Sequence, residues 1–391
     1  MDAHLTPGRG GLPHVQLRHS SGATVEVYLH GATVTSYVSA VGQPLLFVSS
    51  EAVFDGVKPI RGGIPLVFPQ FAMQGPLPMH GFARTSSWTL EEVGDGMAVL
   101  SLRDSEATRA LWAHAFRLRL RITFDEARLA THLDVENPKE ATEPFAFEAL
   151  QHSYFLAGTA EDAAARLTLA GLGGVTFLDK PRGAAPFVES SDPMRLEGEV
   201  DRIYCNTPCV WGLRWPRARG KRPWAHVMRP WAYGMWPRAL GTRTGRQRAR
   251  AYEALSEGGQ HPIRYCAPHS RTRAPPPPRS ADIVVAGITS GAEAASPGTR
   301  FTSIVVKRRA TLRPSAPALS QVVEGCPLDV VVWNPGPVRA RAILDLGDED
   351  WRHYVCVEPG RVSPATATHH AATALPPGRV WTLTQEVLMV A

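Results

Sequence analysis

A chain of 391 residues with 44% apolar and 20% charged residues has the composition of a folded soluble protein, and no apolar run approaches the ~20 residues a membrane span requires. The formal charge of +6 is uneven: residues 211–280 hold fourteen Arg and one Lys against Glu253 and Glu257, a net of +13, and the remainder sums to −7. A mildly acidic body with one basic stretch is not a uniformly basic nucleic-acid binder, and any such partner belongs to that stretch alone.

The first residues, MDAHLTPGRGG, carry neither the apolar core of a secretory signal nor an Arg/Ser-rich transit pattern, so a cytoplasmic location is expected. Val25, Val27 and Leu29 then alternate with Glu26, Tyr28 and His30, the period of a half-buried antiparallel strand. The stretch 61–84, RGGIPLVFPQFAMQGPLPMHGFAR, is unlike a core strand: its apolar run Ile64 to Phe68 is broken by Pro65 and Pro69 and reads as a strand end feeding polar loops. Glu106 to Ala115 is predicted to form one or two helical turns. Phe116, Leu118, Leu120, Ile122 and Phe124 alternate with Arg117, Arg119, Arg121 and Thr123 in a second strand, and the apolar run Phe145 to Leu150 leads into Gln151-His152-Ser153-Tyr154-Phe155. Toward the end, Leu328 to Trp333 (LDVVVW) and Trp351 to Glu358 (WRHYVCVE) read as strands, and Pro377-Gly378 turns into a closing strand Val380 to Val390. An all-β fold follows, a large antiparallel β-sandwich.

Between these halves the pattern fails. From about Trp211 to Cys326 the chain holds five of its ten Trp, most of its excess Arg and the tetraproline Pro275 to Pro278, without period. Three accounts stay open for this insert: a disordered surface loop, a basic arm able to contact single-stranded nucleic acid, or translated non-coding sequence, since Arg, Pro, Trp and Gly share G/C-rich codons. No RNP-like, zinc-finger or helix-turn-helix pattern supports the second. Arg300 to Arg309 (RFTSIVVKRR) reads as a strand inside it. The five cysteines, Cys205, Cys209, Cys266, Cys326 and Cys356, are scattered without metal-ligand spacing and read as reduced structural thiols.

Together RGGIPLVFPQ, HGFAR, QHSYF and VCVEPG resemble the hexose-6-phosphate mutarotases, also called glucose-6-phosphate 1-epimerases, of the aldose 1-epimerase superfamily. The resemblance covers residues 12–210 and 327–391 and implies a single galactose mutarotase-like sandwich over 12–391, with the basic insert inside 211–326. It implies interconversion of α and β anomers by opening and reclosing the hemiacetal ring, which needs one base and one acid and no metal or cofactor. His152 resembles the general acid and Glu358, before Pro359-Gly360 at the lip of a strand, the base that accepts the anomeric hydroxyl proton. His80 resembles a second sugar-binding histidine. Arg61 and Arg84 resemble phosphate ligands, a role for which the planar guanidinium fork is suited. Asp201, in GEVDRIY, matches a carboxylate that binds sugar hydroxyls, and Asp329 is another candidate. Two positions depart from the family pattern: Met79 stands at a substrate-binding position usually held by Gln, and Gly336 replaces the Trp of WNPW. The implied partner is a small sugar phosphate, with a monomer expected and neither membrane nor nucleic acid. The alternative is a non-catalytic sugar-phosphate-binding or regulatory protein on the same fold.

Overall fold

The computed structural model describes residues 4–159, 163–207, 283–286, 303–314, 323–324, 328–362 and 374–390. Of the interval 211–326, only strands appear among the described residues: Ile283–Ala286, Ser303–Pro314 and Val323–Glu324. The Arg/Pro/Trp-rich remainder, with Cys209, Cys266 and Cys326, lies outside them. No described helix is long and apolar enough to cross a membrane.

The described strands pair antiparallel into three sheets of four, eight and ten strands. In the ten-stranded sheet, Arg117–Phe124 alternates buried Leu118, Leu120, Ile122 and Phe124 with more exposed Arg and Thr, as its period of two predicts. Its centre is the long pair of Ser303–Pro314 and the closing strand Arg379–Val390, in register from Ser303 opposite Val390 to Pro314 opposite Arg379. The RFTSIVVKRR strand therefore sits beside the C-terminal strand, whose other edge pairs with Arg128–Asn137.

The eight-stranded sheet runs through Thr176–Asp179, Val200–Thr207, Leu328–Asn334, Tyr354–Arg361, Ala149–Gln151 and Leu66–Val67. One face of it contributes Tyr204, Val330, Val332, Val355 and Val357 to the main core, where they meet Leu118, Leu133, Val306 and Leu383 of the ten-stranded sheet and Val15, Val25 and Val27 of the four-stranded one. The other face carries a second cluster of Ile203, Val331, Trp333, Tyr354 and Cys356. Burial on both faces explains why LDVVVW is a continuous apolar run rather than an alternation.

Several expected boundaries shift. Tyr28 and His30 are 1% and 6% exposed instead of facing solvent, because Ala52, Phe54 and Ile60 pack over Tyr28. Ile64 to Phe68 yields only the two-residue strand Leu66–Val67. The helix covers Glu106–Leu111, opened by a capping box between Ser105 and Thr108. Asp350–Arg352 is a 3-10 turn, held where the Asp350 carboxylate accepts from the Gly347 N–H (2.9 Å) and the Ser49 hydroxyl (2.6 Å), so the strand begins at Tyr354. It also runs on through Pro359 and Gly360, which pair with Val330 and Asp329, placing Glu358 in mid-strand rather than at its lip. Gly360 is needed for close approach, not for a turn: a Cβ there would lie 2.1 Å from the Leu150 Cβ.

Candidate active site

Directly opposed residues in neighbouring strands point to the same face. Asp201 opposes Trp333, Trp333 opposes Cys356, Cys356 opposes Tyr154, and Val331 opposes Glu358. The period of two therefore gathers Asp201, Trp333, Glu358 and Tyr154 on the face turned away from the main core. His152, two residues before Tyr154, shares it: its backbone N–H donates to the Pro65 carbonyl (2.9 Å), and its ring stacks on Tyr154 at 4.9 Å and meets Trp333 edge-on at 5.8 Å.

His152 and Glu358 face each other, with Nδ1 3.3 Å from Oε1, and they are 8% and 1% exposed. The contact lacks the alignment of a hydrogen bond, and neither carboxylate oxygen of Glu358 nor His152 Nδ1 has another partner. A buried polar group left unpaired costs stability, which marks the pair as built for something other than the fold. Burial dominates both protonation equilibria. It pushes the Glu358 carboxyl well above the usual range, with Asp201 adding to it against Lys180 and Arg84. Burial, then His80, Arg84 and Arg61, hold His152 well below its ordinary value. Both directions favour the neutral arrangement, with a proton on Glu358; moving that proton to His152 gives the ion pair, and neither arrangement has net charge.

His80 lies beyond, its ring 5.7 Å from that of His152 at 80°. Its backbone adopts φ 65°, and its Nδ1 accepts the Ala72 N–H at 3.2 Å, so the ring proton sits on Nε2 as a donor. Burial, then Arg84, Lys180 and Arg61, push its pKa down to about 2, so His80 is neutral at any working pH.

Both arginines reach this region. Arg61 donates Nε and Nη2 to Asp345 Oδ1 (3.1 and 2.9 Å) and Nη1 to the Tyr154 hydroxyl (3.2 Å). Burial opposes its charge, but Tyr154 and Asp345 outweigh burial and keep it protonated. Arg84 gives Nη2 to the Met79 carbonyl (2.7 Å), while its buried Nε has no partner. Burial above all lowers its pKa to about 10, still cationic near neutrality. Met79 itself is 52% exposed and contributes its carbonyl.

Asp201, 4% exposed, is held by Lys180 (3.2 Å) and Arg339 (3.3 Å). Lys180 opens the turn Lys180–Arg182 after the strand Thr176–Asp179, and its ammonium lies 4.6 Å over the Phe71 ring. The available sequence signal for it is the charged Asp179, Lys180 and Arg182 clustered where a strand ends. Asp329 is occupied elsewhere, contrary to expectation: its oxygens accept the backbone N–H groups of Asn206 (2.9 Å) and Val362 (3.1 Å), fastening two adjoining strands. At Gly336, φ is 60° and a Cβ would lie 2.8 Å from the Glu199 nitrogen, so no Trp fits there. A cleft of about 450 Å³ lined by Asp104, Arg109, His114, Asn137 and Glu143 shares no residue with this site.

The arrangement can do acid–base chemistry on an uncharged hydroxyl compound while holding an anion nearby. Its proton pair is buried, His80 Nε2–H and Asp201 are groups able to bond hydroxyls, and its cations are Arg61, Arg84 and Lys180. His152 Nδ1, Cys356 Sγ and a Glu358 oxygen also lie within 4.8 Å of one another, which makes them the group able to hold a metal ion among the described residues.

Residues 13–226 match the family described as aldose 1-epimerase. A protein of Cenchrus ciliaris provisionally named glucose-6-phosphate 1-epimerase is 33% identical over 216 residues, 53% of this chain and 64% of that one. One from Escherichia coli K12 with the same provisional name is 33% identical over 184 residues, 46% of this chain and 58% of its own. The match thus spans less than two thirds of the length of these curated relatives. Among solved structures, a provisionally named mutarotase of Salmonella typhimurium aligns with TM-score 0.58 at 21% identity, covering 97% of this chain and 91% of that one. A galactose mutarotase related enzyme of Lactobacillus acidophilus aligns with TM-score 0.57 at 14% identity, covering 97% of each. Likeness at these identities establishes the fold, a galactose mutarotase-like β-sandwich.

Proposed function

Because the chain belongs to the aldose 1-epimerase family, we propose that it interconverts the α and β anomers of a hexose 6-phosphate, with glucose 6-phosphate the first substrate to test. The observation that carries this reading is the His152–Glu358 pair, 3.3 Å apart, buried and otherwise unpartnered. Moving the shared proton from Glu358 to His152 creates the base and the acid in one step, with no proton drawn from water. Glu358 then takes the proton of the anomeric hydroxyl while His152 gives one to the ring oxygen; the C1–O5 bond breaks and an open aldehyde remains. Rotation about C1–C2 and the reverse transfers close the ring as either anomer. The pair carries no net charge at any stage, and burial opposes the cycle only while the proton sits on His152 as an ion pair.

His80 Nε2–H and Asp201 bind sugar hydroxyls in this account, and Arg84, with its unpartnered Nε, takes the phosphate alongside Arg61. Arg61 remains bonded to Asp345, so its share in phosphate binding is the smaller. The setting this reading implies is a cytoplasmic monomer, one sandwich over residues 12–391, with the basic interval of 211–326 outside the chemistry. Two-dimensional exchange NMR tests it. Cross-peaks between the anomers of glucose 6-phosphate should build up faster with the protein than by spontaneous mutarotation, and faster than for free glucose at equal concentration. Equal acceleration of both sugars removes the phosphate from the account, and acceleration of neither removes the enzyme.

A further inference from the structure

We propose that His152, Cys356 and Glu358 form an inhibitory binding site for a thiophilic divalent cation of the zinc or cadmium type. Three observations meet here. The donor atoms, an imidazole nitrogen, a thiol sulfur and a carboxylate oxygen, lie within 4.8 Å of one another. This is a zinc-type donor set that leaves a fourth position open. His152 Nδ1 and both Glu358 oxygens are buried without hydrogen-bond partners, so a cation displaces no existing bond from them. Strand register fixes the third donor, because Cys356 and Glu358 are alternate residues of Tyr354–Arg361 and so point to one face, with Cys356 opposite Tyr154.

The spacing suits the chemistry. Two ligands at about 2.1 Å from a tetrahedral ion stand roughly 3.4 Å apart, and His152 Nδ1 and Glu358 Oε1 are at 3.3 Å. The sulfur needs to approach by about 1 Å at most, within reach of a side-chain rotation. Binding forms N–metal, S–metal and O–metal bonds; the thiol proton and the proton carried on the carboxyl leave to solvent, and no electron is transferred. A divalent cation with one thiolate, one carboxylate and one neutral imidazole sums to zero charge, so Arg61, Arg84 and Lys180 do not repel the assembled site. Its catalytic consequence rests on the mutarotase reading: the ion occupies both proton-transfer groups and stops anomer exchange, while Cys356 itself takes no part in the reaction.

The full chain is titrated with cadmium chloride in chelator-free buffer, following the ultraviolet thiolate-to-metal band, and with zinc chloride, following anomer exchange of glucose 6-phosphate. Cys356→Ser and Cys356→Ala are compared with Cys205→Ser, and near-ultraviolet circular dichroism confirms that each is folded. The expected result is one cadmium equivalent lost in both Cys356 variants and kept in Cys205→Ser, with the half-inhibitory zinc concentration raised at least tenfold in whichever Cys356 variant folds. Undiminished cadmium binding and unchanged zinc sensitivity in the Cys356 variants overturn the site, as does wild-type protein that binds no cadmium. Cys356-dependent cadmium binding by a protein that catalyses no exchange upholds the site and refutes the mutarotase. Exchange untouched by zinc upholds the mutarotase and refutes the site.

Discussion

Replacing Glu358 with Gln removes a proton-accepting group without removing volume, and separates what the site does for catalysis from what it does to the fold. Wild-type Glu358 is 1% exposed with no hydrogen-bond partner on either oxygen, and burial raises its pKa well above the ordinary carboxylate range. In the unfolded chain the same carboxyl ionises near pH 4.5. Above that pH the unfolded state has released a proton that the folded state still holds, so rising pH favours unfolding. The slope is at most about 1.4 kcal/mol per pH unit, up to the pH at which the folded carboxyl ionises. Glu358→Gln has no such slope. Urea unfolding of both proteins from pH 4.5 to 8 should show near-equal stabilities at the acid end and a gap in favour of the variant of about 1–3 kcal/mol near neutrality. The same substitution should slow anomer exchange by about 10²–10⁴, the usual worth of a general base. A gap that is flat with pH, or a variant less stable than wild type at pH 8, refutes the reasoning that this carboxylate is buried at a cost to the fold.

Three other substitutions probe the surroundings. Arg84→Met removes a guanidinium with an unpartnered Nε and should raise KM for glucose 6-phosphate about 10–100-fold in steady-state assays while leaving kcat within about threefold. Lys180→Met removes the largest influence opposing the raised pKa of Glu358. The alkaline limb of the kcat/KM profile, where the pair loses its one proton, should therefore move to higher pH by about half to one unit, and Lys180→Arg should restore it. Gly360→Ala forces a Cβ to 2.1 Å from the Leu150 Cβ and 2.5 Å from the Ala149 carbonyl oxygen, a collision within the sheet that carries Glu358. Guanidinium unfolding should show a loss of at least ~2 kcal/mol.

The fold was legible where period two was legible. Arg117–Phe124 and Leu328–Asn334 announce their one-sided and two-sided burial in their spelling. His152 and Glu358 were visible because each closes an apolar run with a polar side chain, and the sheet brings them together across more than two hundred residues of sequence. What failed to show is equally physical. Pro359-Gly360 spells a turn, yet Gly360 serves close approach to Leu150 and the strand continues, a tertiary demand that local chemistry does not reveal. Asp201 and Asp329 look alike on paper. They part only when Asp201 meets Lys180 and Arg339, while Asp329 meets two backbone N–H groups. Asp345, which engages Arg61 from far along the chain, had no local signal at all.

The central claim is that His152 and Glu358 together move the protons of ring opening. Exchange NMR on glucose 6-phosphate with wild-type protein and with His152→Ala tests it most directly. The account predicts wild-type exchange well above the spontaneous rate and a loss of about 10²–10⁴ in the variant, whose near-ultraviolet circular dichroism stays that of the folded protein. A folded His152→Ala protein that exchanges anomers as fast as wild type contradicts it.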